Sequence, residues 1–185
     1  GYFDYFGAAA GPRGKGWYSR DLGTWHIVSL NSNCDEAGGC DPESPQGRWL
    51  RADLTAHRNR CVLALWHHPR WSHGKHGDHD SVAPFLEALH EAGAEVVLTG
   101  HDHNYQRFEP RRPDGARDDA RGIRQFVVGS GGRSHYTING TEGLEAGDDD
   151  TFGVFSMTLR PDGYDWRFVG EPGGRVGDSG AATCH

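Results

Sequence analysis

Apolar residues in this chain fall in short runs separated by glycine, proline and polar segments. The runs at residues 61–66 and 95–99 have the length and composition of strands buried in a parallel sheet. Between them, four apolar residues recur at helical spacing, namely Val82, Phe85, Leu86 and Leu89. They predict a helix that is capped at Asp80-Ser81 and ends at Gly93. This order of strand, helix and strand predicts a right-handed parallel crossover.

The segment before this unit predicts a second strand–helix pair. Residues 7–16 are rich in glycine and alanine and predict a loop, and residues 17–22 and 25–31 predict two paired strands separated by Gly23-Thr24. Ser44-Pro45 then supplies a helix cap and a first-turn proline, with helical spacing continuing to about His57.

The second half of the chain is dominated by strand patterns. Strands are predicted at residues 106–109, 123–128, 152–159 and 164–169, with a hairpin turn at Pro161-Asp162-Gly163. The tail at residues 170–185 is expected to be irregular, held only if Cys184 is bridged.

Histidines cluster directly after each of the two buried runs. The first cluster contains His67 and His68, and the second contains His101 and His103. Ligands of open α/β sheets gather at the carboxyl ends of parallel strands, so both clusters are expected at one edge of one sheet. His101 and His103 alternate and therefore point the same way in extended chain. Neutral imidazole binds zinc, iron, nickel and copper, so the pattern predicts part of a metal site.

Each of these histidines has a simpler interpretation as a core or surface residue with ordinary hydrogen bonds. His68 follows His67 directly, so it is expected to point the other way or to hydrogen-bond behind a metal. The remaining histidines without partner spacing are expected to be structural or exposed, namely His26, His57, His90, His135 and His185.

Composition and charge narrow the class of protein. The 185 residues, 35% hydrophobic and 11% aromatic, suit one globular domain with a real core. No apolar stretch approaches the roughly 20 residues of a membrane span. The net charge of −7 and arginines interleaved with aspartates argue against a nucleic-acid surface. Nothing in the sequence indicates an oligomeric state.

The four cysteines indicate the cellular compartment of the protein. Cys34 and Cys40 bracket a short loop that could close as a disulfide, which would leave Cys61 for Cys184. Other connectivities, a zinc cluster or free thiols stay open, but oxidised pairing is favoured. We therefore expect an extracytoplasmic location, secreted or periplasmic. Because the chain opens on what looks like interior sequence at Gly1, we also expect it to be a piece of a longer protein.

The second histidine cluster carries a family resemblance. The sequence Gly100-His101-Asp102-His103, followed by Tyr105 and Arg107, resembles the last Gly-His-x-His motif of the calcineurin-like metallophosphoesterases. It is most similar to the branch of purple acid phosphatases and their secreted bacterial alkaline-phosphatase-like relatives. Trp66-His67-His68-Pro69 resembles the preceding single-histidine motif, and residues 121–132, 151–153 and 164–168 resemble the downstream core of the bacterial relatives.

The resemblance implies an α/β fold, a partial four-layer αββα sandwich of two mixed β-sheets flanked by helices. It also implies two metal ions, iron, zinc, manganese or similar, with His67 and His101 on one metal and His103 on the other. The family's other ligands come from motifs that lie before these histidines, and none stands there in this sequence. Residues 1–185 are therefore expected to be the C-terminal portion of a single metallophosphoesterase domain. Residues 77–80 resemble an upstream motif but lie in the wrong order, and we interpret them as loop and helix cap.

The implied activity is metal-dependent hydrolysis of phosphoric esters, with phosphomonoesters as the expected substrates and a metal-activated water as nucleophile. His73 and His76 lie in the loop after His67, where the purple acid phosphatase branch places substrate-facing histidines, and they are the catalytic candidates. A merely solvated loop is the alternative. The rival function is a non-catalytic metal-binding or structural fragment of the same fold, and the isolated chain is expected to be inactive.

Overall fold

A computed structural model of the protein describes residues 1–57, 61–173 and 177–185. Within these ranges the helices are α1 (Tyr2–Phe6), α2 (Pro45–Ala56) and α3 (Ala83–Glu91), with 3-10 turns at Gly7–Ala10 and Asp80–Val82. The strands are β1 (Tyr18–Leu22), β2 (Trp25–Ser29), β3 (Cys61–Leu65), β4 (Val96–Thr99), β5 (Tyr105–Phe108), β6 (Arg124–Val128), β7 (Leu144–Asp148), β8 (Gly153–Arg160), β9 (Gly163–Gly170) and β10 (Ser179–Thr183).

The strands form two sheets. The larger sheet has the order β1-β2-β3-β4-β6-β5-β7, in which β2, β3, β4 and β6 run parallel to one another. The strands β1, β5 and β7 join it in antiparallel pairs. The smaller sheet, β10-β9-β8, is antiparallel throughout. The predicted parallel crossover from β3 through α3 to β4 is confirmed.

One face of the larger sheet packs against α2 and α3. Leu50 from α2 and Phe85 from α3 are buried in the same cluster as Val28, Val62 and Val97 from the parallel strands. These strands are apolar on both faces because the second sheet covers the other side.

The second core lies between the sheets. Trp166 and Phe168 of β9 pack against Phe126 and Tyr105 of the larger sheet, and the rings of Tyr105 and Phe168 stack with centroids 4.4 Å apart. The described residues therefore form helix, sheet and sheet layers of the expected αββα sandwich. Among the described strands the smaller sheet is antiparallel and not mixed, because a tight turn joins β8 to β9 and β10 pairs antiparallel with β9.

The tail differs from the sequence expectation. Residues 170–185 were expected to be irregular, yet β10 pairs along β9, while residues 174–176 lie outside the described part of the chain. Alternating glycine and alanine in β10 gives no hydrophobic signal, but Gly180 lets the strand lie against Trp166. Strand β7 was likewise missed, because its Leu144 to Asp148 sequence is polar.

Helix termini follow the predicted chemistry in one case and not in the other. The Ser44 side chain accepts a hydrogen bond from Gly47 N at 3.0 Å, so the α2 cap is confirmed. The predicted Asp80-Ser81 cap is wrong, because these residues form a 3-10 turn and α3 begins at Ala83 without a side-chain cap. Gly7–Ala10, expected as loop, also forms a 3-10 turn.

Both disulfides favoured by the sequence are formed, Cys34 with Cys40 and Cys61 with Cys184. The second fastens the tail to the start of β3. Among the described residues, no helix combines the length and apolarity that a membrane crossing requires.

Candidate metal centre

The two histidine clusters meet at one edge of the larger sheet. Strands β3 and β4 are parallel neighbours, and backbone bonds continue their pairing past the strand ends, with Gly100 N donating to His67 O at 3.0 Å. The carboxyl ends of both strands therefore present their histidines side by side.

His67 and His101 face each other across this edge. His67 Nε2 and His101 Nδ1 are 3.0 Å apart, close enough for both nitrogens to bind one cation after a small adjustment. His101 adopts φ = 67°, the left-handed region that residues other than glycine rarely enter. Such backbone strain is typical of functional sites, and here it turns the ring of His101 toward His67.

His103 lies across the same cleft, and its tautomer follows from its contacts. Its Nδ1 is 3.0 Å from Ser134 O, and its ring stacks on Tyr136 with centroids 4.1 Å apart. A carbonyl oxygen only accepts, so Nδ1 carries a hydrogen, and Nε2 is the ring nitrogen left to face a cation. A histidine whose other nitrogen donates to a carbonyl is common among metal ligands.

His68 is held behind the edge by Ser32, which follows β2. Ser32 Oγ accepts from the backbone N–H groups of His67 and His68 at 3.2 and 3.0 Å, and it lies 2.9 Å from His68 Nδ1. Two backbone donors occupy the acceptor positions of the hydroxyl, so its hydrogen is donated to His68 Nδ1. The His68 ring still approaches His101, with centroids 4.4 Å apart, and one nitrogen from each of His67, His68 and His101 lies within 4.8 Å of the others.

His76 is brought to the centre by a buried carboxylate. Asp102 is fully buried, and its Oδ1 accepts from His76 N at 3.0 Å while its Oδ2 accepts from Ser72 Oγ. The His76 ring lies 4.2 Å from the His101 ring, centroid to centroid. The loop after His67 is therefore pinned onto the loop that carries His101 and His103.

A network of buried polar side chains surrounds Asp102. Gln106 Nε2 donates to Ser72 Oγ at 3.0 Å and to Asn104 Oδ1 at 2.9 Å, and Gln106 Oε1 accepts from His73 N at 2.8 Å. Each of these side chains is satisfied by another, which gives the histidine loops one defined arrangement.

His73 is placed apart from the other predicted site residues. Its Nε2 is 3.0 Å from Glu142 O, and its ring packs near Phe108 with centroids 5.4 Å apart. His73 lines a separate hollow on the far side of the loop. The structure thus brings together His67, His101, His103 and His76, and leaves His73 outside the cleft.

Burial and mutual repulsion lower the pKa of four imidazoles at this edge, those of His67, His68, His79 and His101. Desolvation, with a smaller contribution from the neighbouring rings of His68, His76 and His67, lowers the pKa of His101 to about 4. Desolvation is also the main cause that lowers the pKa of His67, His68 and His79. Neutral rings at pH 7 offer lone pairs to a cation.

The cleft above these rings is open and has a volume of about 680 Å³. Its floor is His67, His101 and His103, and its wall is a glycine-rich segment that ends in Arg133. Gly129 is required there, because a Cβ at this position would lie 2.0 Å from Asp102 O. The donor set fits cations that prefer nitrogen ligands. Among the described residues that line the cleft, no carboxylate is present to complete a two-metal set.

Sequence reasoning missed Asp102, Ser72 and Ser32. Ser32 follows a strand that is a parallel neighbour of β3, so the strand-end rule could have placed it at this edge. Asp102 alternates with the two histidines and therefore had to point inward, but its partners came from a loop with no periodic signal.

Known proteins resemble this chain in sequence. It is 30% identical over 138 residues to human tartrate-resistant acid phosphatase type 5, covering 70% of this chain and 42% of that protein. It is 29% identical over 130 residues to purple acid phosphatase 18 of Arabidopsis thaliana, covering 66% of this chain and 28% of that protein. The chain thus spans less than half the length of these relatives. No protein-family model matches the chain.

The fold is also shared with a solved structure. A purple acid phosphatase from yellow lupin seeds superimposes with a TM-score of 0.80 at 19% identity, covering 94% of this chain and 34% of that one. Sequence relatives, fold and the two histidine motifs agree, and the chain belongs to the calcineurin-like metallophosphoesterases, in the branch of the purple acid phosphatases.

Proposed function

We propose that this chain is the C-terminal portion of a metallophosphoesterase domain, and that the whole protein hydrolyses phosphoric esters, with phosphomonoesters as substrates. The observation that carries the proposal is the approach of His67 Nε2 and His101 Nδ1 to 3.0 Å at neighbouring strand ends, with His103 on the same cleft. Two ring nitrogens this close, with no carboxylate between them among the described cleft residues, support binding of a shared cation.

The family's two metal ions, iron, zinc, manganese or similar, would be held here by His67 and His101 on one side and His103 on the other. When bound, such ions supply an activated water and neutralise phosphoryl charge. The remaining ligands would come from a part of the whole protein that precedes this chain.

The chain's own residues would bind and orient the ester. Arg133 lies on the rim of the cleft, where its guanidinium can hold phosphoryl oxygens by paired hydrogen bonds. His76 faces the same space and would donate a proton from a ring nitrogen to the leaving alkoxide. His73 would take a similar role only after breaking its bond to Glu142 O, so we rank it behind His76.

The test uses the whole protein and a chromogenic phosphate monoester. We expect turnover that a chelator abolishes, and we expect His101→Ala/His103→Ala to reduce kcat/KM by more than the roughly 10–100-fold that outer partners of metal ligands cost. The control is His90→Ala in the last turn of α3, which should retain full activity. Full activity and full metal content in the double variant would overturn the assignment.

The isolated chain offers a second test. We expect little or no turnover from it, because imidazoles are the only metal-binding side chains among its described cleft residues. Rapid hydrolysis by the chain alone would refute the view that essential ligands precede it. We also propose a secreted or periplasmic location, which the two formed disulfides support.

A further inference from the structure

A second group of ligand-type side chains lies at the opposite end of the larger sheet. His26 stands near the amino end of β2, Asp53 lies in the last turns of α2, and His57 follows that helix. One ligand atom from each lies within 4.8 Å of the others. Strand β2 runs parallel to β3, so this group is separated from the histidine cleft by the length of the strands.

His26 is built into the core in an orientation suited to a ligand. Its side chain is 1% exposed, its Nδ1 lies 2.7 Å from Asp21 Oδ1, and its Nε2 lies 2.8 Å from Asp53 Oδ2. A carboxylate on the outer nitrogen of a histidine fixes the ring and raises its basicity, as in the carboxylate–histidine–zinc triads of many metalloproteins.

Asp53 and His57 complete a site with access to solvent. Asp53 is 8% exposed and is oriented by Ser19, whose Oγ donates to Asp53 Oδ1 at 2.9 Å. His57 is 41% exposed, and its ring stacks on His26 with centroids 4.6 Å apart. Two imidazoles and one carboxylate leave an open position, which is the ligand set of many zinc sites.

The two carboxylates of the group suit a divalent cation. Asp21 and Asp53 place one carboxylate oxygen beside each ring nitrogen of His26. A divalent cation between His26 Nε2 and Asp53 Oδ2 would balance the two carboxylate charges at this nearly buried position. We propose that His26, Asp53 and His57 bind a divalent transition-metal cation such as Zn²⁺, independently of the histidine cleft.

The experiment measures Zn²⁺ binding by the full 185-residue chain with His67, His101 and His103 replaced by alanine. Competition with a chromophoric chelator should show one tight Zn²⁺ per chain. Adding His57→Ala should weaken that binding at least tenfold, and adding Asp21→Asn should weaken it about 10–100-fold, as expected for an outer carboxylate. Both changes are at partly exposed side chains, and circular dichroism verifies that the variants fold.

The matched control is Glu91→Gln, which removes an exposed carboxylate from the neighbouring helix and should leave Zn²⁺ affinity unchanged. Co²⁺ in place of Zn²⁺ should give the visible absorption of a low-coordinate site, lost on His57→Gln. The proposal is overturned if the triple variant binds no Zn²⁺, if the His57 and Asp21 variants bind as tightly as their parent, or if ¹⁵N NMR shows a proton on His26 Nε2 in saturating Zn²⁺.

Discussion

Replacement of Asp102 gives a stringent test of how the centre is held together. This carboxylate is fully buried between His101 and His103, and it accepts from Ser72 Oγ and from the backbone N–H of His76. Asp102 is not a predicted metal ligand, so it affects the site only by holding the loops that carry the histidines.

The cost of Asp102→Ala follows from the two donors that lose their acceptor. Each buried donor left unsatisfied costs about 1–3 kcal/mol, so the variant should lose roughly 2–6 kcal/mol of unfolding free energy. Unfolding temperatures of chains of this size shift by about 2–4 °C per kcal/mol.

The isosteric change Asp102→Asn should be costly as well. Ser72 Oγ already accepts from Gln106 Nε2 and from Gly74 N, both at 3.0 Å, so it can only donate to residue 102. The N–H of His76 can also only donate. An asparagine has one acceptor oxygen for these two donors, and its amide NH₂ must face one of them in either orientation. We therefore expect a loss of about 1–3 kcal/mol.

Thermal and urea unfolding of both variants would measure these losses. The control is Asp162→Asn at an exposed turn, whose unfolding free energy should lie within about 0.5 kcal/mol of the parent's. In the whole protein, kcat should fall with the loss of His76 placement. If Asp102→Asn unfolds within 0.5 kcal/mol of the parent, the hydrogen-bond assignment around Ser72 is wrong.

Three further predictions address the tail, the glycine wall and the long disulfide. Asp178→Asn should destabilise at pH 7 by about 1–3 kcal/mol, because burial raises the pKa of Asp178 but hydrogen bonds from Arg107, Tyr105 and Trp166 outweigh it and lower the pKa. A carboxyl whose pKa is lower in the folded state stabilises the protein at pH values above its unfolded pKa of about 3.9. The difference in unfolding free energy between variant and parent should therefore shrink as the pH falls below about 4. A difference that stays constant with pH would contradict this explanation. Gly129→Ala should displace the backbone of Asp102 and lower kcat in the phosphatase assay. Gly131→Ala should leave kcat unchanged, because a Cβ at that position meets nothing within 4 Å. Equal activities of the two variants would refute the steric argument. Removing the Cys61–Cys184 bridge, which spans 123 residues, should lower the unfolding free energy by about 5 kcal/mol through loop-closure entropy. Removing the Cys34–Cys40 bridge, which spans 6 residues, should lower it by only about 2 kcal/mol. The reverse order in chemical denaturation would contradict this prediction.

The elements at the centre of the fold were accessible from the sequence because they are periodic and apolar. Residues 61–66 and 95–99 predicted β3 and β4 to within one residue, and their parallel pairing placed His67 and His101 at one edge. Ser44-Pro45 marked the start of α2 by local chemistry that depends on no distant residue.

Features that depend on residues distant in the chain could not be predicted from the sequence. Strand β10 has no hydrophobic pattern and is held by its pairing with β9 and by the Cys61–Cys184 bridge. Asp178 likewise gains its partners only from β5 and β9. His26 and His57 were expected to be structural or exposed because no spacing links them, and their stacking beside Asp53 could be seen only in the fold. The preference for His76 over His73 also came from tertiary contacts, those of Asp102 and Glu142.

In the proposed function, His67, His101 and His103 bind catalytic metal ions. The most direct measurement is an anomalous-scattering map from crystals of the whole protein. We expect strong peaks within bonding distance of His67 Nε2, of His101 Nδ1 and of His103 Nε2. Crystals of active enzyme with no anomalous peak beside these three rings would contradict it.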